Sequence, residues 1–268
     1  MSGTLVAIGG ALDLQSPVLQ HFYEKAGAAE GKFVILPTAS SRLEAGVDVG
    51  LRLKELGAQQ VFECTHARDR AGANDPAALQ AVDDCTGIFM TGGNQLRLTS
   101  ILGGTRLHTA MLAAYERGAV VAGTSAGAAA MSTVMIAHGN SGQAPRNGMA
   151  QFSPGLGFTN QVFFDQHFSQ RVRIGRLLVA LALYPGWLAI GIDESTAVIL
   201  SGEWLDVLGS GSVTVLDGTH LAGSTIADIN ARQLAAISGV QLHVLTNGCR
   251  FNMLRRVAVL PIPVLDID

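Results

Sequence analysis

Ser125 sits in the run Val120-Val121-Ala122-Gly123-Thr124-Ser125-Ala126-Gly127-Ala128-Ala129-Ala130-Met131, where an apolar stretch passes through Gly-x-Ser-x-Gly into small residues. A serine hydroxyl becomes a useful nucleophile only when a neighbouring base removes its proton. A sharp strand-to-helix turn would lift Ser125 clear of a sheet, and the flanking glycines leave room where a β-carbon would collide. The helix starting at that turn aims backbone N–H groups and the positive end of its dipole at an oxyanion, which makes the Ala126 N–H an expected donor. A second donor is expected from Ile88-Phe89-Met90-Thr91-Gly92-Gly93-Asn94-Gln95. There two glycines after an apolar run bring the N–H of Gly93 or Asn94 close to a substrate carbonyl, and Gln95 offers the substrate a hydrogen bond.

The base is sought among seven histidines. His21, His66, His108, His138, His220 and His243 fall in ordinary helix, loop or strand settings. His167 differs, because it follows the apolar run Val162-Phe163-Phe164 within Asp165-Gln166-His167-Phe168. A polar triplet at the end of a buried strand is costly unless partnered or functional. An acid to hold the imidazole in one tautomer is offered by Ala189-Ile190-Gly191-Ile192-Asp193-Glu194-Ser195-Thr196, in which either Asp193 or Glu194 could serve, with Asp165 a weaker third candidate. The chain order serine, histidine, acid departs from the serine, acid, histidine order of the α/β-hydrolases, which disfavours an ordinary esterase or lipase.

These residues need a scaffold, and the first 130 residues supply one. Apolar runs at Leu5–Gly9, Lys32–Leu36, Gln60–Glu63, Gly87–Met90 and Ala119–Ala122 alternate with helical patterns at Leu43–Leu56, Ala77–Asp83, Leu96–Ile101 and Leu107–Arg117. Such alternation implies βαβ units and a mostly parallel sheet flanked by helices on both faces, flavodoxin-like or class I glutamine amidotransferase-like. The amidotransferases carry a cysteine where Ser125 stands. In the second half a helix at Ile174–Leu183 precedes a strand-turn-strand run over Leu188–Leu200 and short strands at Trp204–Leu208 and Gly211–Leu216, read as antiparallel strands added to one edge of the sheet. The tail Val257–Asp268 reads as an extended segment, and residues 1–268 as one domain. Ligands of open α/β sheets gather at the carboxyl ends of the strands, where Gly92, Gly93, Ser125 and His167 all fall.

Composition narrows the function classes. With 18 basic against 21 acidic residues the net charge is −3, too near neutral to suggest nucleic acid or an anionic membrane surface. No apolar run approaches the ~20 residues of a membrane span, and the N-terminus has no secretory pattern. Cys64, Cys85 and Cys249 are odd in number and widely spaced, which fits a reducing, cytoplasmic setting and argues against a disulfide framework or zinc site. No metal or cofactor is expected.

Taken together, Thr91-Gly92-Gly93-Asn94-Gln95-Leu96-Arg97, Gly123-Thr124-Ser125-Ala126-Gly127-Ala128-Ala129, Asp165-Gln166-His167-Phe168, Arg171-Val172-Arg173-Ile174-Gly175-Arg176 and Gly191-Ile192-Asp193-Glu194 resemble the cyanophycinases, of the serine peptidase clan that includes dipeptidase E. The resemblance runs from Gly9-Gly10 to about Val244. It implies a triad of Ser125, His167 and Glu194, substrate contacts from Gln95, Asp165, Gln166, Arg171, Arg173 and Arg176, and a homodimer. The substrate it implies is cyanophycin, a poly-aspartate with arginine on each β-carboxyl, cut by an exopeptidase to β-aspartyl-arginine dipeptides. Three arginines within six positions make chemical sense of that, since every arginine of the polymer exposes an α-carboxylate. Two departures stand out: Ser195 occupies a position where an aspartate is expected, and His138-Gly139-Asn140 replaces a more glycine-rich loop. Alternatives are an aspartyl or isoaspartyl dipeptidase of the same clan, or a non-catalytic binding protein.

Overall fold

The computed structural model describes residues 3–42 and 44–261. Five strands, β1 (Thr4–Ile8), β2 (Lys32–Leu36), β3 (Gln60–Glu63), β4 (Gly87–Met90) and β5 (Val120–Thr124), run parallel in the order β1-β5-β4-β2-β3. Between them lie α1 (Pro17–Lys25), α2 (Val47–Glu55), α3 (Pro76–Asp83), α4 (Gln95–Leu102) and α5 (Arg106–Glu116), and the short α6 (Ala126–Ala129) follows β5. Alternate residues of β1 face opposite ways. Val6 and Ile8 join a core under α1 and α2, whereas Leu5 and Ala7 join a larger core under α3, α4 and α5. A strand buried on both faces reads as a continuous apolar run, which is why β1, β2, β4 and β5 are legible; β3, at the sheet edge, is only partly buried.

Several helix starts are chemically marked. Asp75 caps α3 by accepting from the Ala77 N–H, Asn94 caps α4 through the Arg97 N–H, and Thr105 caps α5 through the His108 N–H. Helix α2 begins at Val47 rather than Leu43, because Gly46 lies at φ 92°, a left-handed conformation that no α-helix continues through; Leu43 lies outside the described residues. Helix α1 is an addition to the sequence reading, although Pro17 at its first turn and buried Val18, Leu19, Phe22 and Tyr23 are its signature.

The second half departs from a simple sheet extension. After the hairpin β6 (Val134–Gly139) and β7 (Ala150–Pro154) come β8 (Val162–Gln166), α7 (Ile174–Leu183), β9 (Leu188–Ile192), β10 (Thr196–Ser201), β11 (Trp204–Gly209) and β12 (Val213–Asp217). The remaining strands are β13 (Gly223–Ser224), β14 (Ile237–Ser238), β15 (Gln241–Leu245), β16 (Arg250–Asn252) and β17 (Val257–Val259). Strands β10, β11, β16 and β17 extend the large sheet from β1, each neighbour antiparallel. Strands β9 and β12 do not; with β8 and β15 they form a separate four-stranded sheet in the order β15-β12-β9-β8, in which β8 and β9 are parallel. The chain changes sheets at Asp193-Glu194-Ser195, where Ser195 at φ 52° turns the backbone. One face of the second sheet (Phe164, Ile190, Val215) joins the larger core, and its other face packs on α7. The tail is strand up to Val259; residues 262–268 lie outside the description.

Candidate active site

Ser125 stands between β5 and α6 at φ 51° and ψ −108°, a strained conformation for a residue with a side chain. Its N–H donates to Ile8 O at 3.0 Å, tying the turn to the adjacent β1. Both flanking glycines are required by contact: a β-carbon on Gly123 would lie 2.5 Å from Gly127 C, and one on Gly127 would lie 2.5 Å from Met90 O. The strand and helix thus approach so closely that the chain must present Ser125 at the tip.

His167 leaves the end of β8 at φ 49° and its N–H donates to Gly9 O at 2.7 Å. Its Nε2 is 3.0 Å from Ser125 Oγ, and its Nδ1 is 2.6 Å from Glu194 Oε1. The imidazole is largely shielded and the carboxylate partly exposed. Serine, imidazole and carboxylate therefore form one continuous hydrogen-bonded relay, drawn from three different turns.

Asp193 is turned the other way. Its Oδ1 accepts from the Ser169 N–H at 2.9 Å, and its Oδ2 accepts from the Ser212 N–H at 3.1 Å and the Ser212 hydroxyl at 2.7 Å. Burial pushes the Asp193 pKa upward, but the hydrogen bonds from Ser169 and Ser212 outweigh it and leave the carboxyl below its ordinary value. Of the two neighbouring acids, Asp193 braces the loop and Glu194 meets the histidine. Ser195, at the position where an aspartate is expected, donates its N–H to Gly10 O at 3.0 Å and its hydroxyl to Ala11 O at 2.8 Å. It thereby ties the Glu194 turn to the turn after β1.

That turn is a contributor sequence reasoning passed over. Gly9 accepts from His167, Gly10 accepts from Ser195, and a β-carbon on Gly10 would strike the His167 ring. The available signal was a double glycine at the carboxyl end of a fully buried strand.

The candidate oxyanion donors divide. Gly92 lies beside the nucleophile, a β-carbon there being 3.6 Å from Ser125 Cβ, and Gly93 takes φ 144° against Ala39 O. The Asn94 N–H does not serve as expected, because it donates to Ala39 O at 2.9 Å while the Asn94 side chain caps α4. Gly93 and Ala126 are left as the N–H groups at this corner.

The polar residues expected to contact substrate are sorted by burial. Asp165, fully buried, accepts from Arg176 Nε at 2.6 Å and from Arg176 Nη2, and also from Arg173 Nη1 at 3.3 Å. Arg173 Nη1 donates to Gln166 O as well. Burial lowers the Arg173 pKa to about 10, with Asp165 opposing that fall, so it stays cationic at neutral pH. Arg176 and Asp165 therefore satisfy each other inside the protein. Gln166, also buried, donates its amide to Phe164 O at 2.8 Å. Gln95 Nε2 donates to Ala137 O at 2.6 Å and holds β6 against α4, leaving its carbonyl oxygen to other partners. Arg171 alone of the three arginines is exposed. Among the described residues no three His, Cys, Asp or Glu side chains gather as a metal would require, and no helix is long and apolar enough to cross a membrane.

Comparison with known proteins places the chain among peptidases. The family model for peptidase family S51 matches residues 5–208. A cyanophycinase of Trichormus variabilis is 37% identical over 264 residues, covering 96% of this chain and 87% of that protein. A cyanophycinase of Geminocystis herdmanii is 37% identical over 257 residues, with 94% of each chain covered. The crystal structure of a peptidase from an acI-B1 Actinobacterium superposes with a TM-score of 0.71 at 24% identity, covering 94% of this chain and 97% of that one, a likeness of fold.

Proposed function

The chain belongs to peptidase family S51 and is a serine peptidase, and from that premise we propose that it is a cyanophycinase with Ser125, His167 and Glu194 as its triad. His167 Nε2 takes the Ser125 proton as Oγ attacks the backbone carbonyl of an aspartyl residue. The N–H groups of Gly93 and Ala126 stabilise the oxyanion, each donor worth roughly 3 to 4 kcal/mol. The imidazolium, steadied by Glu194, hands its proton to the leaving amine, and an acyl-enzyme remains. Water, deprotonated by His167, attacks the ester, and its collapse frees a β-aspartyl-arginine dipeptide and returns the proton to Ser125. Release of dipeptides makes the enzyme an exopeptidase; we further assign it to the cytoplasm and to a homodimeric state.

The observation carrying this reading is the unbroken Ser125–His167–Glu194 relay at a strained turn whose glycines cannot be replaced. The substrate rests on relatives at 37% identity named cyanophycinase and on Arg171, an exposed guanidinium on the loop that follows His167. Asp165, Arg173 and Arg176 act beneath that loop, where their ion pairs hold its shape.

The test is digestion of purified cyanophycin granules, with products read by mass spectrometry and Ser125→Ala alongside. β-Aspartyl-arginine from the wild type alone is expected. Intact granules, with Ser125 still labelled by a fluorophosphonate, would sink the substrate assignment and turn attention to small aspartyl peptides. Turnover by Ser125→Ala within tenfold of wild type would sink the mechanism.

A further inference from the structure

The β6–β7 hairpin carries a long loop, residues 140–149, that walls a cavity of about 600 Å³ together with Ala231 and Arg232. The wall is built. Asn147 N–H donates to Gln233 O at 3.0 Å, Arg232 N–H to Asn147 O at 2.9 Å, Ala235 N–H to Pro145 O at 3.0 Å and Asn147 Nδ2 to Ile229 O at 2.6 Å. Arg232 is held at φ 70°, a backbone conformation that persists only where surroundings impose it.

The lining is chemically one-sided. It holds Arg146 and Arg232 beside amide and hydroxyl groups of Asn140, Ser141, Gln143 and Asn147, and no acidic residue. Arg146 Nη1 donates to Arg232 O at 3.2 Å, and among the described residues neither guanidinium has a carboxylate within ion-pairing distance. In a chain of net charge −3, two such cations at one cavity are a local reversal. The cavity also adjoins the loop that follows His167: Gly142 N–H donates to Val172 O at 2.7 Å, Gly175 N–H donates to Gly142 O at 2.9 Å, and Arg171 N–H donates to His167 O at 3.0 Å.

We propose that this cavity is a second carboxylate-binding subsite, in which Arg146 and Arg232 grip the α-carboxylates of arginyl units several residues along the polymer from the bond being cut. The ligand class follows from the lining: unpaired guanidinium forks favour carboxylates, and a polymer repeating that group can engage the cavity and the cleft together. This rests on the cyanophycinase reading. Its role is to keep the enzyme on an insoluble, multivalent substrate between cuts.

The experiment is co-sedimentation of Ser125→Ala enzyme with cyanophycin granules, with and without Arg146→Ala and Arg232→Ala, across a series of salt concentrations. The double substitution should weaken the apparent Kd about tenfold at low salt and flatten the dependence of log Kd on log salt. Arg146→Lys with Arg232→Lys should recover part of the affinity, because charge remains while the fork is lost. Thermal unfolding of each variant separates misfolding from lost contact, and a merely structural loop would leave the salt slope as it was. Unchanged affinity and slope in a folded double variant would overturn the subsite while leaving the cyanophycinase reading intact. If wild-type enzyme neither bound nor digested granules, that reading and the subsite would fall together.

Discussion

The imidazole of His167 lies against the α-carbon of Gly10, so close that a β-carbon there would be 2.3 Å from Cε1 and 2.6 Å from Nε2. Gly10 also takes φ 101°, which disfavours any side chain. Gly10→Ala should therefore push the ring off Ser125. Displacing a reacting group by about 1 Å costs on the order of 100-fold, so kcat should fall at least that far, with a matching drop in the rate of fluorophosphonate labelling. Turnover within tenfold of wild type would show that the ring has another resting place.

Glu194→Gln preserves shape but removes the charge that, in the proposed mechanism, steadies the imidazolium and fixes its tautomer across the 2.6 Å contact to Nδ1. By analogy with other serine triads, kcat should drop by about 10³ to 10⁴. Steady-state kinetics on polymer would decide, and a loss under tenfold would remove Glu194 from the relay.

Asp193→Asn should act on stability and do so in a pH-dependent way. The folded Asp193 carboxyl sits below its ordinary pKa because Ser169 and Ser212 donate to it. Its contribution is thus complete above the unfolded value near pH 4 and is lost as pH falls through the lower folded value. In urea titrations the gap between wild type and Asp193→Asn should be widest near pH 6 and close toward pH 3. A gap that widened in acid would contradict the assignment.

Arg176→Ala strands the Asp165 carboxylate in a fully buried place. Removing one partner of a buried pair costs about 3 to 5 kcal/mol, which for a chain of this size lowers Tm by about 10 °C. Arg171→Ala, at an exposed position, should leave Tm within about 2 °C and instead raise KM for polymer. Differential scanning fluorimetry compares the two directly; equal shifts would erase the distinction between a supporting and a contacting arginine.

Much of this is legible in the amino-acid sequence, and what is not has physical causes. Strands β2 and β4 fall where their apolar runs lie, because a strand buried on both faces has few polar residues to blur it, whereas β3, Gln60-Val61-Phe62-Glu63, is a partly exposed edge strand marked by its place in the strand–helix alternation. Ser125 and His167 stood out since each follows a buried strand with residues unsuited to a core. Asp193 and Glu194 could not be told apart, because what separates them is the capture of Asp193 by Ser169 and Ser212, groups far away in the chain. Arg171, Arg173 and Arg176 looked alike for the same reason: only the fold reveals that Asp165 lies beneath two of them. The second sheet was hidden because strand spacing carries no record of which strands pair.

The division into two sheets has a consequence for how such an enzyme fails. Ser125 rides on the nine-stranded sheet, His167 on the end of a strand of the four-stranded one, and Glu194 on the turn between them. The Ser125–His167 contact is therefore a gauge of how the two sheets are seated, read out at 3.0 Å. Damage at their shared core, at Phe164 or Ile190 for instance, would be felt as a loss of turnover in a chain that is still folded and carries every reacting group.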